Sequence, residues 1–243
     1  MTDKKIVIIP TYNEKENIDA IIRKVFSLDG DFNILIVDDG SPDGTANIVK
    51  QLQNEFPNRL NLVERSGKLG LGTAYTTGFE WCLKNDADYI FEMDADFSHN
   101  PDDLIRLYNA CKNGADVAIG SRYLTGMNVV DWPFSRLLIS YSASKYVRII
   151  TGMKIKDSTA GFICYKRKTL EAMNFNNIRM KGYGFQIEMK YTASKLGFKI
   201  EEVPIIFIDR KLGTSKMSSS IFGEAMWGVL KLRLRNIKKQ HKK

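Results

Sequence analysis

Short apolar runs alternate with segments of helical spacing through the first 120 residues of this chain. Runs rich in β-branched and aromatic residues predict strands at 5–10, 33–37, 60–64, 88–93 and 116–119. Apolar residues three or four positions apart predict helices at 16–26, 43–52, 72–84 and 102–112. Strands and helices that alternate in this order predict a Rossmann-like α/β fold with a doubly wound, mostly parallel sheet.

The pattern is less regular after residue 120. It predicts helices at 135–150, 184–196 and 219–238, and strands at 161–165 and 199–207. Because no internal repeat or clear linker is visible, we expect one domain over 1–217 and a basic amphipathic helix over 218–243. No apolar run reaches the roughly 18 residues that a membrane-spanning helix needs. The first residues also lack the apolar core of a signal peptide, so we expect neither feature.

Composition changes this picture mainly at the C-terminal end. The net charge is +8, and seven of the 36 Lys and Arg residues lie in the last thirteen positions, after the final acid, Glu224. The rest of the chain carries 29 basic against 28 acidic residues, which disfavours nucleic-acid binding over the whole surface. Cys82, Cys111 and Cys164 are scattered in apolar context, which predicts buried free thiols in a reducing compartment.

The most informative polar segment, 94–99 (DADFSH), directly follows a predicted strand. Asp94 and Asp96 should therefore lie at the carboxyl edge of the sheet, where open α/β folds bind ligands. Two carboxylates one residue apart can hold a hard divalent cation, which in turn can hold a diphosphate. The alternative is a polar turn that caps the next helix through Asn100 or Ser98. The motif alone leaves both interpretations open.

Four other segments follow predicted strands or open helices: 10–14 (PTYNE), 37–45 (VDDGSPDGT), 68–72 (KLGLG) and 120–123 (GSRY). In the first of them, Asn13 is a candidate cap for the helix that follows. An acid at the end of the second strand suits a nucleoside hydroxyl or base edge, with a simple turn as the alternative. The glycine-rich segment lacks a Walker sequence, and we interpret it as a flexible loop that opens a helix. Arg122 has paired donors suited to phosphate or carboxylate, with a surface salt bridge as the alternative.

Taken in this order, the segments resemble the family-two glycosyltransferases of GT-A fold. Three further segments narrow the resemblance to the dolichol-phosphate (polyprenyl-phosphate) mannosyltransferase branch: 132–136 (WPFSR), 157–162 (DSTAGF) and 210–216 (RKLGTSK). The resemblance covers about residues 4–216. It implies an inverting, metal-dependent transfer of a hexose, mannose from GDP-mannose ahead of other donors, to a polyprenyl or dolichyl phosphate.

The resemblance also implies roles for particular residues, with Asp94, Asp96, Arg122 and Arg136 as the catalytic set. The nucleoside would lie against Pro10, Tyr12, Glu14, Val37 and Asp39. The diphosphate would lie along Asp94, Ala95 and Asp96, with Mg²⁺ or Mn²⁺ on Asp96 and with Arg210 and Lys216 closing over it. The acceptor phosphate would be held by Arg122, Arg136 and Ser140. Ser98 stands where the branch often has a Gln metal ligand, and its hydroxyl could bind the metal more weakly, directly or through water.

This chemistry needs no general base, because an acceptor phosphate monoester is already substantially ionised near neutral pH (second pKa about 6). The site has only to align the reactants and stabilise the leaving diphosphate. One alternative is glucose transfer from UDP-glucose to the same acceptor. Another is transfer to a saccharide hydroxyl, which would need Asp94 or Asp157 as a base. A third is a silent nucleotide-sugar binder, which the intact acidic and basic motifs disfavour.

The C-terminal helix is the second functional feature of the sequence. It mixes apolar and basic residues, which fits either an amphipathic helix packed on the domain or peripheral contact with a membrane. Since the resembled family acts on a lipid phosphate, we expect membrane contact from the cytoplasmic side. Each basic residue near an anionic surface would add about 1 kcal/mol of attraction. A separate membrane subunit that anchors the chain is compatible with this expectation.

Overall fold

The computed structural model describes residues 2–180, 182–210, 220–235 and 237. Its first half contains β1 (Lys5–Thr11), α1 (Ile18–Phe26), β2 (Phe32–Asp38), α2 (Thr45–Glu55), β3 (Leu60–Glu64), α3 (Leu71–Lys84), β4 (Tyr89–Glu92), α4 (Asp103–Lys112) and β5 (Val117–Ser121). Its second half contains β6 (Val129–Val130), α5 (Phe134–Thr151), β7 (Ile163–Lys166), α6 (Arg167–Glu171), a 3₁₀ turn (Phe175–Asn177), α7 (Tyr183–Lys195), β8 (Ile200–Pro204), β9 (Phe207–Ile208) and α8 (Ser220–Arg233).

Seven strands form one twisted sheet in the order β3-β2-β1-β4-β7-β5-β8. All neighbouring pairs are parallel except those of β7, which runs antiparallel to both β4 and β5. The predicted doubly wound, mostly parallel sheet is therefore confirmed. The winding reverses at β1 and β4, and loops at this kind of switch point form ligand sites.

Continuous apolar runs form the central strands because helices cover both faces of the sheet. Along β1, Ile6 and Ile8 belong to the apolar cluster under α3 and α7. Val7 and Ile9 belong to the opposite cluster, under α1, α2 and α4. The three cysteines are free and buried, as predicted.

Three expectations for local structure were wrong. The predicted strand at 199–207 is divided into β8 and β9, because β8 pairs with β5 whereas β9 pairs with β6. The final helix ends at Arg233, short of the predicted 238. Asn13 does not cap the first helix, since it has a left-handed φ of 56° and the cap position is Asn17.

The final helix packs on the body of the molecule, against α5 and α7. Val229 and Leu232 are its buried apolar residues in the described part. The Arg233 guanidinium donates to the Thr151 carbonyl at 3.1 Å, and Arg235 forms an ion pair with the buried Glu188 of α7. These two basic residues thus hold the helix in place. In the part of the chain that the structure describes, no helix is both long and apolar enough to cross a bilayer.

Candidate active site

Asp96 lies in a tight turn just beyond β4, and neighbours bind both of its carboxylate oxygens. Oδ1 accepts hydrogen bonds from the Ser98 hydroxyl at 2.6 Å and from the Ser98 backbone N–H at 3.1 Å. Oδ2 lies 3.0 Å from Nη2 of Arg210. Phe97, between Asp96 and Ser98 in the chain, has a left-handed φ of 59°. Bulky residues rarely adopt this conformation, which is typical of strained functional loops. The turn therefore holds Asp96 in one orientation.

Asp94 has fewer restraints, and 41% of its side chain is exposed. The surrounding protein and the nearby charge of Asp96 raise the pKa of the Asp94 carboxyl above its ordinary value. Arg210 and Arg122 are close enough to oppose that shift. Two acids whose charges repel each other at close range are a suitable place for a cation, which would remove the repulsion.

The capping interpretation of this motif is wrong for both of its candidates, because the cap position of α4 is Asp102. Asn100 instead shapes the turn before α4, where its side-chain oxygen accepts a 3.1 Å hydrogen bond from the Asp102 N–H. The Ser98 hydroxyl is committed to Asp96. The motif therefore presents two carboxylates just beyond β4 rather than a helix cap.

His99 is a site residue to which the sequence analysis assigned no role. Its ring is buried between Phe162, on which it stacks, and the edge of Phe207. Burial lowers its pKa to about 4, so the ring is neutral. Its Nδ1 has no hydrogen-bond partner among the residues that the structure describes, and it lies 3.9 Å from Oδ2 of Asp94. Its place inside the same polar segment was the available signal.

These residues fit a divalent cation that is shared with a ligand. Asp94 and Asp96 supply hard oxygen donors just beyond the end of β4. Within the described ranges, no three His, Cys, Asp or Glu side chains are grouped as a self-sufficient metal site. A cation here would take its remaining ligands from a diphosphate and from water, as Mg²⁺ commonly does.

The residues expected to bind the nucleoside lie at and beyond the ends of β1 and β2. The Asp39 N–H donates to the Thr11 carbonyl at 2.9 Å and so joins the ends of these two strands. Pro10, Tyr12 and Glu14 are partly buried along this edge, whereas the Val37 side chain is fully buried in the core. Asp39 is bound before any ligand arrives. Its Oδ1 accepts from Nε of Arg65 at 2.7 Å, and its Oδ2 accepts from the Leu69 N–H at 3.2 Å.

Arg65 is a second residue that the sequence analysis missed. It also donates to Thr73 and to the Gly70 carbonyl, so it ties the glycine-rich loop to the end of β2. Lys68 of the same loop lies over the Tyr12 ring, 4.9 Å from its centroid. The glycine-rich segment thus lies beside Tyr12 and Asp39 at the ends of β1 and β2, and it opens α3 as predicted.

Arg122 forms an ion pair, but a buried one rather than the surface salt bridge considered above. Its Nε and Nη2 each donate to Asp157 at 2.7 Å, and Nη2 also donates to Thr159 at 2.8 Å. Burial alone would raise the pKa of Asp157, but Arg122 outweighs it and the pKa is lowered. Asp157 is therefore a poor general base.

Arg136 lies on the same aromatic side chain as Arg122. The Trp132 ring centroid is 4.0 Å from the Arg136 guanidinium and 5.5 Å from that of Arg122. Arg136 also pairs with Asp209 at 2.8 Å, next to Arg210. Ser140 accepts a 2.8 Å hydrogen bond from the Tyr123 hydroxyl. The fold thus gathers two cations and a hydroxyl in one aromatic corner formed by Tyr123 and Trp132.

The structure therefore brings most of the expected residues to one edge of the sheet. Arg210 meets Asp96, and Arg122 is near Asp94. Ala95 is almost fully buried, so only its backbone can contact a ligand. Lys216 lies outside the described residues.

Comparison with known proteins agrees with this architecture. The model of glycosyl transferase family 2 matches residues 6–173, more than half of the chain. The chain therefore belongs to glycosyltransferase family 2, and it is a glycosyltransferase.

Two curated relatives match nearly the whole chain. Polyprenol monophosphomannose synthase of Mycolicibacterium smegmatis is 46% identical over 233 residues, which cover 94% of this chain and 88% of the synthase. Undecaprenyl-phosphate mannosyltransferase of Micrococcus luteus is 43% identical over 229 residues, which cover 92% of this chain and 93% of the relative.

Solved structures show the same fold at low identity. Glucosyl-3-phosphoglycerate synthase of Mycobacterium tuberculosis, with phosphoglyceric acid, has a TM-score of 0.67 at 18% identity and covers 96% of this chain and 79% of its own. The same synthase with Mn²⁺, UDP and glucosyl-3-phosphoglycerate has a TM-score of 0.68 at 17% identity over the same shares. This likeness establishes the fold.

Proposed function

We propose that this glycosyltransferase moves mannose from GDP-mannose to a polyprenyl phosphate, with inversion at the sugar and with Mg²⁺ or Mn²⁺ as cofactor. The observation that carries the proposal is the identity of 43–46%, over nearly the whole chain, to two proteins named for mannose transfer to polyprenyl phosphates. The arginine corner beside Asp94 and Asp96 supports it, because paired cations suit a charged acceptor.

On the donor side, the turn after β4 would hold the diphosphate. The cation, when bound between Asp94 and Asp96, would neutralise charge on the leaving group. Asp96 is oriented for this by Ser98, and Arg210 is already 3.0 Å from Asp96, where it can contact a diphosphate. Arg65 fixes Asp39 so that the nucleoside edge is rigid before binding. We also propose Lys216 for the closing contact.

On the acceptor side, an oxygen of the phosphate monoester would attack the anomeric carbon as the bond to the diphosphate breaks. That oxygen carries no proton near neutral pH, since the second pKa is about 6. Arg136 would contact the phosphate from the Trp132 side, with Arg122 and Ser140 behind it. The lowered pKa of Asp157 argues against a hydroxyl acceptor that would use this acid as its base.

We also propose peripheral membrane contact through α8, joined by α5. Helix α5 exposes large apolar side chains together with Lys145 and Arg148, whereas its buried residues are Ser144, Val147 and Thr151. A mixture of apolar and basic residues on the exposed side suits a helix that lies at a membrane surface. Among the side chains that the structure describes, the exposed large apolar ones of the two helices are Phe134, Leu138, Ile139, Tyr141, Ile149, Met226, Trp227 and Leu230. A patch of this kind on adjacent helices is typical of membrane or protein contact.

A transfer assay with purified full-length protein tests the proposal. Radiolabelled GDP-mannose and UDP-glucose would each be offered with a short polyprenyl phosphate and with a neutral polyprenol, with Mn²⁺ and with EDTA. We expect a lipid-linked product only from GDP-mannose, the phosphate acceptor and the metal. If product forms with UDP-glucose and not with GDP-mannose, the proposed donor is wrong. If product forms on the neutral polyprenol, the proposed phosphate acceptor is wrong.

A further inference from the structure

A fully buried polar cluster lies between β4, which we name the donor strand, and α7, and the proposed chemistry does not use it. Lys190 and Glu92 are both 0% exposed, and Gln186 lies between them with 2% exposure. Burial lowers the pKa of the Lys190 ammonium and raises that of the Glu92 carboxyl. Buried charges of this kind are costly to desolvate, so their retention calls for a function.

The cluster joins two parts of the active site. Gln186 donates a short hydrogen bond from Nε2 to Glu92, the last residue of β4 and two positions before Asp94. One turn later on α7, the Lys190 ammonium donates to the Ala160 carbonyl at 2.5 Å and to the Gln186 carbonyl at 3.2 Å. The helix therefore holds the donor strand through one side chain and the segment around Ala160 through the other.

The segment that Lys190 holds is the one that binds Arg122. Residues 157–161, which we name the Asp157 loop, carry both Asp157 and Thr159, the hydrogen-bond partners of the Arg122 guanidinium. Gln186 packs beside the same loop, with its Nε2 only 3.7 Å from where a Cβ on Gly161 would lie. A displaced Asp157 loop would carry the guanidinium of Arg122 with it.

We propose that Lys190 is a positioning residue for Arg122: it anchors the Asp157 loop to α7 at a fixed distance from the donor strand. The inference rests on the proposed phosphate acceptor, because a misplaced Arg122 would then weaken acceptor binding more than nucleotide binding. If Lys190 only balanced the charge of Glu92, its loss would lower the stability of the fold without weakening acceptor binding more than nucleotide binding.

Three full-length variants separate these roles. Lys190→Met removes the anchor. Lys195→Met is the matched control, since Lys195 is exposed on the same helix and its ammonium lies over the Tyr191 ring. The double variant Glu92→Gln with Lys190→Met restores charge balance in the cluster but not the bond to Ala160. It also keeps the test valid should Lys190→Met alone fail to fold.

Two readouts are measured for each variant. The first is the KM for polyprenyl phosphate compared with the Kd for GDP, with thermal unfolding alongside. The second needs no acceptor: the hydrogen exchange rate of the Arg122 Nε–H by NMR, with Arg122→Lys used only to assign the signal. If the wild-type protein transfers nothing to polyprenyl phosphate, the proposed function is wrong. The second readout still tests the role of Lys190 in that case, because it needs no acceptor.

We expect Lys190→Met to raise the acceptor KM about tenfold or more, because small misplacements of a binding group have large kinetic effects. The Kd for GDP should change less than about twofold, because mutations at distant, independent sites have nearly additive effects. The Arg122 Nε–H should exchange faster than in the wild-type protein. The double variant should regain thermal stability and keep the acceptor defect. An unchanged acceptor KM, an equal loss of GDP affinity, or recovery of the acceptor KM in the double variant would overturn the inference.

Discussion

At the scale of single residues, the two acids of the turn after β4 differ in freedom. Asp96 is held on both oxygens by Ser98 and Arg210, whereas Asp94 is exposed enough to adjust. A site that receives its cation together with a diphosphate is well served by one acid that is held in place, here Asp96, and one that can move, here Asp94. Ser98 orients Asp96, and its hydroxyl is also a candidate metal ligand.

Replacing these residues separates the two roles of the turn. We expect Asp96→Asn to weaken Mn²⁺ binding in the presence of GDP by about 100-fold, and Ser98→Ala by about tenfold, since an orienting partner contributes less than a ligand. Electron paramagnetic resonance titration of free Mn²⁺ measures both. An equal loss in the two variants would make Ser98 a direct ligand.

The two arginines of the acceptor corner should respond differently to truncation. Arg122→Ala leaves Asp157 buried and unpaired, and we expect the free energy of unfolding to fall by about 3–5 kcal/mol. Arg136 is 37% exposed, so Arg136→Ala should fold normally, lose acceptor-dependent transfer and keep GDP-mannose affinity. Urea unfolding and calorimetric titration measure these effects.

Arg23→Ala is the control for the arginine variants, because Arg23 pairs with Asp19 and Glu55 at the surface. Surface pairs of this kind contribute little, so stability and transfer should both stay near wild type. A calorimetric loss of GDP-mannose affinity in Arg136→Ala that equals its loss of transfer would contradict the acceptor role.

At the scale of elements, the close approach of α3 to β1 carries the glycine-rich loop to the cleft. A Cβ on Gly78 would lie 2.7 Å from Cγ2 of Ile8, so only glycine allows the helix to lie this near the strand. We expect Gly78→Ala to destabilise the fold by about 1–3 kcal/mol through overpacking. Urea unfolding tests this.

Gly67→Ala is the matched control for that substitution, since nothing lies within 4 Å of its added Cβ. Its stability should change by no more than about 1 kcal/mol. A Gly78→Ala variant as stable as Gly67→Ala would mean that α3 can move away from the sheet freely.

Element positions were predictable where apolar periodicity is strong. The first five strands and four helices fall within a few residues of their expected bounds, because each buries its own apolar face. The two-residue strands β6 and β9 were not predictable, since each exists only through the other. The antiparallel direction of β7 likewise depends on the path of the preceding chain, which no local pattern encodes.

At the scale of the whole molecule, the exposed apolar side chains of α5 and α8 form the surface that we propose contacts a membrane. We expect the double variant Leu138→Glu with Trp227→Glu to bind anionic vesicles at least about tenfold more weakly, since each buried side chain of this size contributes about 1.5–3 kcal/mol. Vesicle flotation at low and high salt measures the change.

Ile206→Glu is the control for the vesicle experiment, because Ile206 is 59% exposed but lies outside both helices. Vesicle binding by the double variant equal to that of wild type would end the proposal of membrane contact. The division of the chain at residue 217 stays a prediction, because residues 211–219 lie outside the described part.

The sequence by itself determined the class of fold, the order of its elements and the acids at the carboxyl ends of the strands. These features follow from local periodicity and from motifs of a few adjacent residues, which carry their own physical signal. Only the tertiary structure decided the partners of those motifs. Arg122 meets Asp157 across 35 positions, Arg65 meets Asp39, and Lys190 meets Ala160. Such contacts depend on strand order and helix packing, and so they leave no trace in the spacing of residues along the chain.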